Sequence, residues 1–149
     1  MAKTEVRAAD YRFFVGRKCT IEMVDWNDGI FDSYVLGQNE DFVFYLANEK
    51  RSRKVGALGK RYIQSVAFSV INEKAEPDVR HFMGLDWAFF KHQLVNIFLA
   101  EKHFFSGIFG RETEFLGVFV EVVDNTAVKL TGGLEIELDQ IAKIEMKVE

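Results

Sequence analysis

DWAFFKHQLVNIFLAEK, residues 86–102, is the stretch on which the reading of the fold turns. Asp86 stands where a helix N-cap would. Trp87, Phe90, Leu94, Ile97 and Phe98 recur on one face at helical spacing, with Lys91, Gln93, Asn96 and Lys102 mainly elsewhere. The spacing predicts an amphipathic helix beginning at Trp87, the one substantial helix of the chain.

On its N-terminal side, Tyr11 to Ser69 read as strands. CTIEMV (19–24) alternates, with Cys19, Ile21 and Met23 on one face and Thr20 and Glu22 on the other. Asp28-Gly29 is a hairpin signal because both residues tolerate positive φ. IFDSYVL (30–36) and DFVFYLA (41–47) follow, separated by the polar turn GQNE, and RYIQSVAFSV (61–70) is again rich in β-branched and aromatic residues. About five short strands with tight turns suit a small barrel.

INEKAEPD (71–78) is charged and holds the single proline, Pro77, so it marks a boundary. Beyond the predicted helix, strand patterns return in HFFSGIFG (103–110), FLGVFVEVV (115–123), AVKLT (127–131), LEIEL (134–138) and IAKIEMKV (141–148). RETE, DNT and TGG supply the turns. The expected organisation is an N-terminal strand-rich, barrel-like half at 1–72, a connection at 73–85, and a helix plus C-terminal strand-rich, barrel-like half at 86–149, either separate or merged in one domain. Both halves share a short apolar strand, a hairpin, a tight bend and a last strand of I-x-x-[VI] type, Ile63–Val66 and Ile141–Ile144, which raises the question of a duplication.

The two halves resemble the Sm-like group of small, strongly bent SH3-type barrels. In the first half the likeness runs from Cys19 to Phe68, with a hairpin turn ending in Gly29, a strand entered through Asp41-Phe42 and a last short strand after KRYI (60–63). The second, from Phe115 to Lys147, looks like the form of this barrel also seen in ribosome-maturation factors. The resemblance implies ring-shaped homo-oligomers and RNA binding on ring faces or in the pore. The fold class expected is therefore mostly β, one or two SH3-like or Sm-like barrels with one amphipathic helix.

The composition bounds the rest. The chain of 149 residues is 48% apolar and 28% charged, enough to bury a core without disulfides or metals. A single cysteine, Cys19, fits a reducing compartment, and MAKTEVRAADYRFF has no apolar run that would make a signal peptide or membrane span, so a cytoplasmic location is expected with no membrane partner. Fifteen phenylalanines in so short a chain exceed what one small core readily holds, which points to a homo-oligomer with aromatic interfaces. DFVFYLA and IAKIEMKV, free of proline, are the expected open edges.

No catalytic constellation emerges. GALGK (56–60) has two residues between its glycines where a phosphate loop needs four, and Arg61 stands where the metal-binding hydroxyl belongs. DWNDG (25–29) starts like a calcium loop, but Leu36 replaces the closing glutamate. His81, His92 and His103 recur every eleven residues; on one helix they would stand about 16 Å apart, too far to share a metal. Neither a cofactor nor a metal is expected, and the protein reads as non-catalytic.

The best functional lead is EKRSRKVGALGKR (49–61). Lys50, Arg51, Arg53, Lys54, Lys60 and Arg61 place six positive charges in a chain of net charge −4. Flanking Tyr45 and Tyr62 could stack on bases, so these eight residues form a candidate site for single-stranded RNA. The alternative is an assembly module whose basic segment makes protein contacts only.

Overall fold

The computed structural model describes residues 11–23, 30–49, 52–68, 77–99, 114–124 and 126–148. Five strands come first: β1 (Lys18–Met23), β2 (Ile30–Gln38), β3 (Phe42–Glu49), β4 (Ser52–Gly59) and β5 (Ile63–Phe68). A six-residue helix, α1 (Pro77–Phe82), precedes five more: β6 (Leu94–Leu99), β7 (Glu114–Val123), β8 (Ala127–Leu130), β9 (Glu135–Glu137) and β10 (Ile141–Val148). All ten join one antiparallel sheet in the order β5-β1-β2-β3-β4-β10-β6-β7-β8-β9. The sheet does not close into a barrel, which corrects the expectation of one or two small barrels. Its continuation through β4 and β10 uses the edges on which closure would depend.

The helix expected from Trp87 does not form. Asp86 does cap, accepting from the Ala88 amide at 3.0 Å, but what it caps is one 3-10 turn, Trp87–Phe90. His92, at φ 66, then turns the chain in the left-handed region, and β6 begins at Leu94. In β6, Val95 and Ile97 are buried while Leu94 is exposed, the period of a strand. Intrinsic helix preferences among such residues differ by a few tenths of a kcal/mol each, roughly, whereas full burial of one is worth about 1.5–3 kcal/mol. Pairing with β10 and β7 therefore decides the state.

The two sets of strands repeat one another. β1–β5 lie in the order β5-β1-β2-β3-β4, and β6–β10 in the order β10-β6-β7-β8-β9, the same permutation. The register repeats as well. Met23 faces Ile63 and Ile21 faces Val66; correspondingly Leu99 faces Ile141 and Ile97 faces Ile144, with a bulge at the same step. Val35 faces Tyr45 and Gly37 faces Phe44; Val120 faces Leu130 and Val122 faces Lys129, again across matching bulges.

The corners agree in hydrogen bonding. Asn39 Oδ1 accepts from the amides of Asp41 and Phe42 at 2.8 and 2.7 Å; Asp124 Oδ1 accepts from those of Thr126 and Ala127, both at 2.8 Å. The Lys60 amide donates to the Asp41 carbonyl, and the Leu138 amide to the Thr126 carbonyl, each at 2.8 Å. A 3-10 turn opens each last strand, Lys60–Tyr62 before β5 and Leu138–Gln140 before β10. Even the left-handed residues correspond: Gly16 (φ 83) and His92 (φ 66) both donate, at 2.7 Å, to the carbonyls of Val35 and Val120.

The surroundings of the two sets differ. Phe42, Phe44 and Leu46 face one buried cluster, and Val43, Tyr45 and Ala47 face the other, so β3 is covered on both sides. This accounts for its unbroken apolar run, the signature of a strand without a wet face. Trp87 closes the first side, edge-on to Phe42 at 4.8 Å between ring centroids, and Phe89 and Phe82 continue the cover. On β7 and β8, by contrast, Phe119, Glu121 and Lys129 are exposed. Cys19, Ile21 and Met23 are buried on one face of β1 as the alternation required. β3 and β10, expected as open edges, are interior; the outer strands are β5 and β9.

The turn at Asp28-Gly29, the segment 71–76, HFFSGIFG and His103 lie outside the described residues. His81 and His92 are exposed.

Candidate functional site

The feature that joins the two strand sets is the ladder between β4 and β10. Lys143 faces Leu58, Ile144 faces Ala57, Glu145 faces Gly56 and Met146 faces Val55. Gly56 is required there: a Cβ would stand 2.2 Å from the Ile144 carbonyl oxygen and 2.6 Å from Tyr45 Oη. The missing side chain gives the tyrosine room to cross β4 and reach the neighbouring set. Its phenol donates to Glu145 Oε1 at 3.2 Å, while Lys54 and Lys143 approach the same carboxylate at 3.7 and 3.4 Å. Glu145 is only 7% exposed, so hydrogen bonding and two cations together offset its desolvation.

One end of this ladder opens into a cleft of about 410 Å³. Asp41, Phe42, Arg61 and Tyr62 come from the first set, and Glu135, Glu137 and Asp139 from the second. The Tyr62 hydroxyl donates to the Asp139 carbonyl at 2.8 Å, fastening the two 3-10 turns across the joint. Four carboxylates against one guanidinium give the lining a negative balance. Such a wall repels a phosphate backbone and suits cationic side chains.

The basic segment is not a loop; its residues 52–59 are β4. Arg53 and Lys60 lie seven positions apart, roughly 23 Å at strand rise, so its charges are divided between opposite ends. At one end Arg53 and Lys54 are half-buried, with Lys54 engaged by Glu145. At the other, Lys60 is 3% exposed; its ammonium donates to Gln38 Oε1 at 2.7 Å and sits 5.3 Å from the Tyr11 ring centre. Arg61 is exposed beside the ring of half-buried Tyr62, 6.0 Å from its centre. Tyr45 is fully buried, so its ring presents no face to solvent. Lys50 and Arg51 lie outside the described residues.

Of the eight residues singled out by sequence, then, Arg61 and Tyr62 meet at the cleft, while Tyr45 and Lys54 meet at Glu145. Sequence reasoning missed Glu145, read only as part of a strand. Glu135, Glu137 and Asp139 are all exposed, and their face borders the cleft. The one available signal was the pairing of acidic turns with a basic turn at corresponding places, Asp139 against Arg61.

No group of three or more potential ligand side chains suited to a metal occurs among the described residues. Among them, too, no helix is long and apolar enough to cross a membrane. Comparison of the chain with protein-family models, curated proteins and solved structures gave no match.

Proposed function

We propose that the chain is a non-catalytic assembly protein made of two Sm-like or SH3-like five-strand units, and that it associates with further copies of itself. The observation that carries this reading is the β4–β10 ladder, in which two units of the same strand order and register are joined edge to edge. A protein whose own halves meet by strand pairing holds the chemistry for extending the sheet. The outer strands β5 and β9 leave such edges among the described residues.

A nucleic-acid strand fits the same geometry less well. Tyr45 and Lys60 are buried, the other described cations, Arg53 and Lys54 against Arg61, stand at opposite ends of β4, and the charged lining of the cleft beside Arg61 is mainly carboxylate. Protein contacts therefore account better for the basic segment than a bound RNA does.

Two measurements test the reading. Light scattering of the full chain at micromolar concentration is expected to give a multiple of the 17.2 kDa monomer mass; a monomer would overturn it. Titration of a labelled single-stranded RNA at low and moderate salt is expected to show only weak, salt-labile association. Tight binding that survives moderate salt, and is lost with Arg53→Ala and Arg61→Ala, would return the function to RNA.

A further inference from the structure

The cleft at the end of the β4–β10 ladder continues beyond the joint. A second cavity of about 310 Å³ adjoins it and shares Asp41, Phe42 and Leu138 with it. Its further walls come from Asp86, Trp87 and Ala88 of the 3-10 turn and from Asp124 at the second corner. Together the two cavities make one groove lined by both strand sets.

Its charge is one-sided. Asp86 and Asp124 extend the acidic line of Asp41, Glu135, Glu137 and Asp139, so six carboxylates stand against the single guanidinium of Arg61. All but Asp41 belong to exposed residues, where a cation can reach them from solvent. Beneath them Phe42, Ala127 and Ile141 are buried and Leu138 half-buried, which gives the groove an apolar floor.

Trp87 narrows the choice of occupant. It is 8% exposed and lines the second cavity, and its indole Nε1 is buried with no hydrogen-bond partner among the described residues. Buried polar groups almost always find a partner, so a donor left without one calls for an acceptor from outside the chain. The groove therefore suits positive charge and a hydrogen-bond acceptor together. A metal ion or a polyamine brings charge and no acceptor. A nucleic-acid strand brings acceptors on a backbone that the carboxylates repel. A peptide bearing lysine or arginine brings cationic ends for the carboxylates, alkyl stems for the floor and backbone carbonyls for the indole.

We propose that this groove docks a basic segment of another protein, with Asp86, Glu135 and Glu137 holding its cations and Trp87 Nε1–H donating to one of its carbonyls. The proposal goes beyond self-association and does not depend on it, because the groove is complete within one copy. The nitrogen is buried, so an acceptor reaches it only as the rim yields, and occupation changes the surroundings of Trp87 directly.

A labelled peptide of alternating lysine and alanine serves as the probe, with an alternating glutamate and alanine peptide and spermine as comparisons. Anisotropy of the label reads binding. Emission of the full chain carrying Trp26→Phe, in which Trp87 is the one remaining tryptophan, reads contact with the groove. If that variant does not fold, loss of the emission change in Trp87→Phe reads the same contact. The lysine peptide is expected to bind at low salt, to shift the Trp87 emission and to weaken as salt rises, while the glutamate peptide does neither. Glu135→Gln with Glu137→Gln should weaken it about tenfold, the scale set by two exposed ion pairs. Arg61→Ala should tighten it, the opposite of what a phosphate backbone would show. Glu121→Gln, exposed on β7 and outside the groove, should change nothing. An equal loss with Glu121→Gln would reduce the effect to net charge and overturn the site. Spermine binding as tightly with the same emission shift would make the occupant a free polyamine, and a changed assembly mass in the glutamine pair would make it a second copy; either overturns the proposal. An oligomeric wild type that leaves the lysine peptide unbound would overturn this groove while leaving the assembly reading in place.

Discussion

The Tyr45 phenol donates to a carboxylate oxygen of Glu145, 3.2 Å away across the joint and one hundred residues further along the chain. Both residues are buried, and the bond ties the interior of the first strand set to β10, one of the two central strands of the whole sheet. Tyr45→Phe keeps the packing and removes the donor. A loss of about 1.5–3 kcal/mol is expected, the range for a hydrogen bond to a charged group. Urea unfolding monitored by tryptophan fluorescence measures it, and an unchanged midpoint would show that Lys54 and Lys143 satisfy Glu145 without the phenol.

Gly56 is predicted to tolerate no side chain. In Gly56→Ala the added methyl meets the Ile144 backbone oxygen, which cannot turn aside as a flexible side-chain end could. Separation of β4 from β10, at a cost of at least about 1–3 kcal/mol by the scale of overpacked sites, is the expected outcome. Hydrogen exchange should then rise in β4 and β10 before it rises in β1 and β2. Protection of β4 equal to the wild type would refute the prediction.

Burial pushes the Cys19 thiol up from 9.0 to about 11 and the Tyr11 phenol up from 10.0 to about 12, with nearby Arg17 lowering the thiol in part. Both groups are neutral when protonated, and the folded state holds the proton to higher pH than the unfolded chain. Their contribution is therefore complete below pH 9 and is lost as pH rises from 9 towards 12, because the unfolded state binds fewer protons there. The urea midpoint should fall over that window, with Cys19→Ala removing the earlier part of the fall. At pH 8 the folded protein should be almost inert to an aromatic disulfide reagent, and rapid labelling of Cys19 would contradict its burial.

Asn39 and Asp124 make the same turn in the two sets, each side-chain oxygen accepting from two backbone amides ahead of it. The same two donors hold the Asp124 carboxyl below its ordinary pKa. Exchange between the two types, Asn39→Asp and Asp124→Asn, should leave the thermal midpoint nearly unchanged. Asn39→Ala should cost about 1–2 kcal/mol, and Asp124→Ala should lower the midpoint by more than Asp124→Asn does. Equal effects of Ala and Asn at 124 would remove the turn from the account.

The sequence by itself determined where most strands run. Alternation marked Cys19, Ile21 and Met23 as one buried face, and turn chemistry at Asp124–Thr126 and Thr131–Gly133 separated β7, β8 and β9, because these signals act between neighbours in the chain. It also carried the cap at Asp86, but a cap followed by apolar residues three apart serves a single 3-10 turn as well as a helix. Only the tertiary structure decided that LVNIFL is a strand, since its ladders come from β10 and β7, far away in sequence. The same holds for the site. The division of the basic segment follows from β4 being extended, and the engagement of Tyr45 and Lys54 by Glu145 follows from β10 crossing to β4. Which strand takes which edge is a contest among non-local pairings of similar local propensity, settled by the fit of whole faces: Gly56 leaves the room through which the two halves meet.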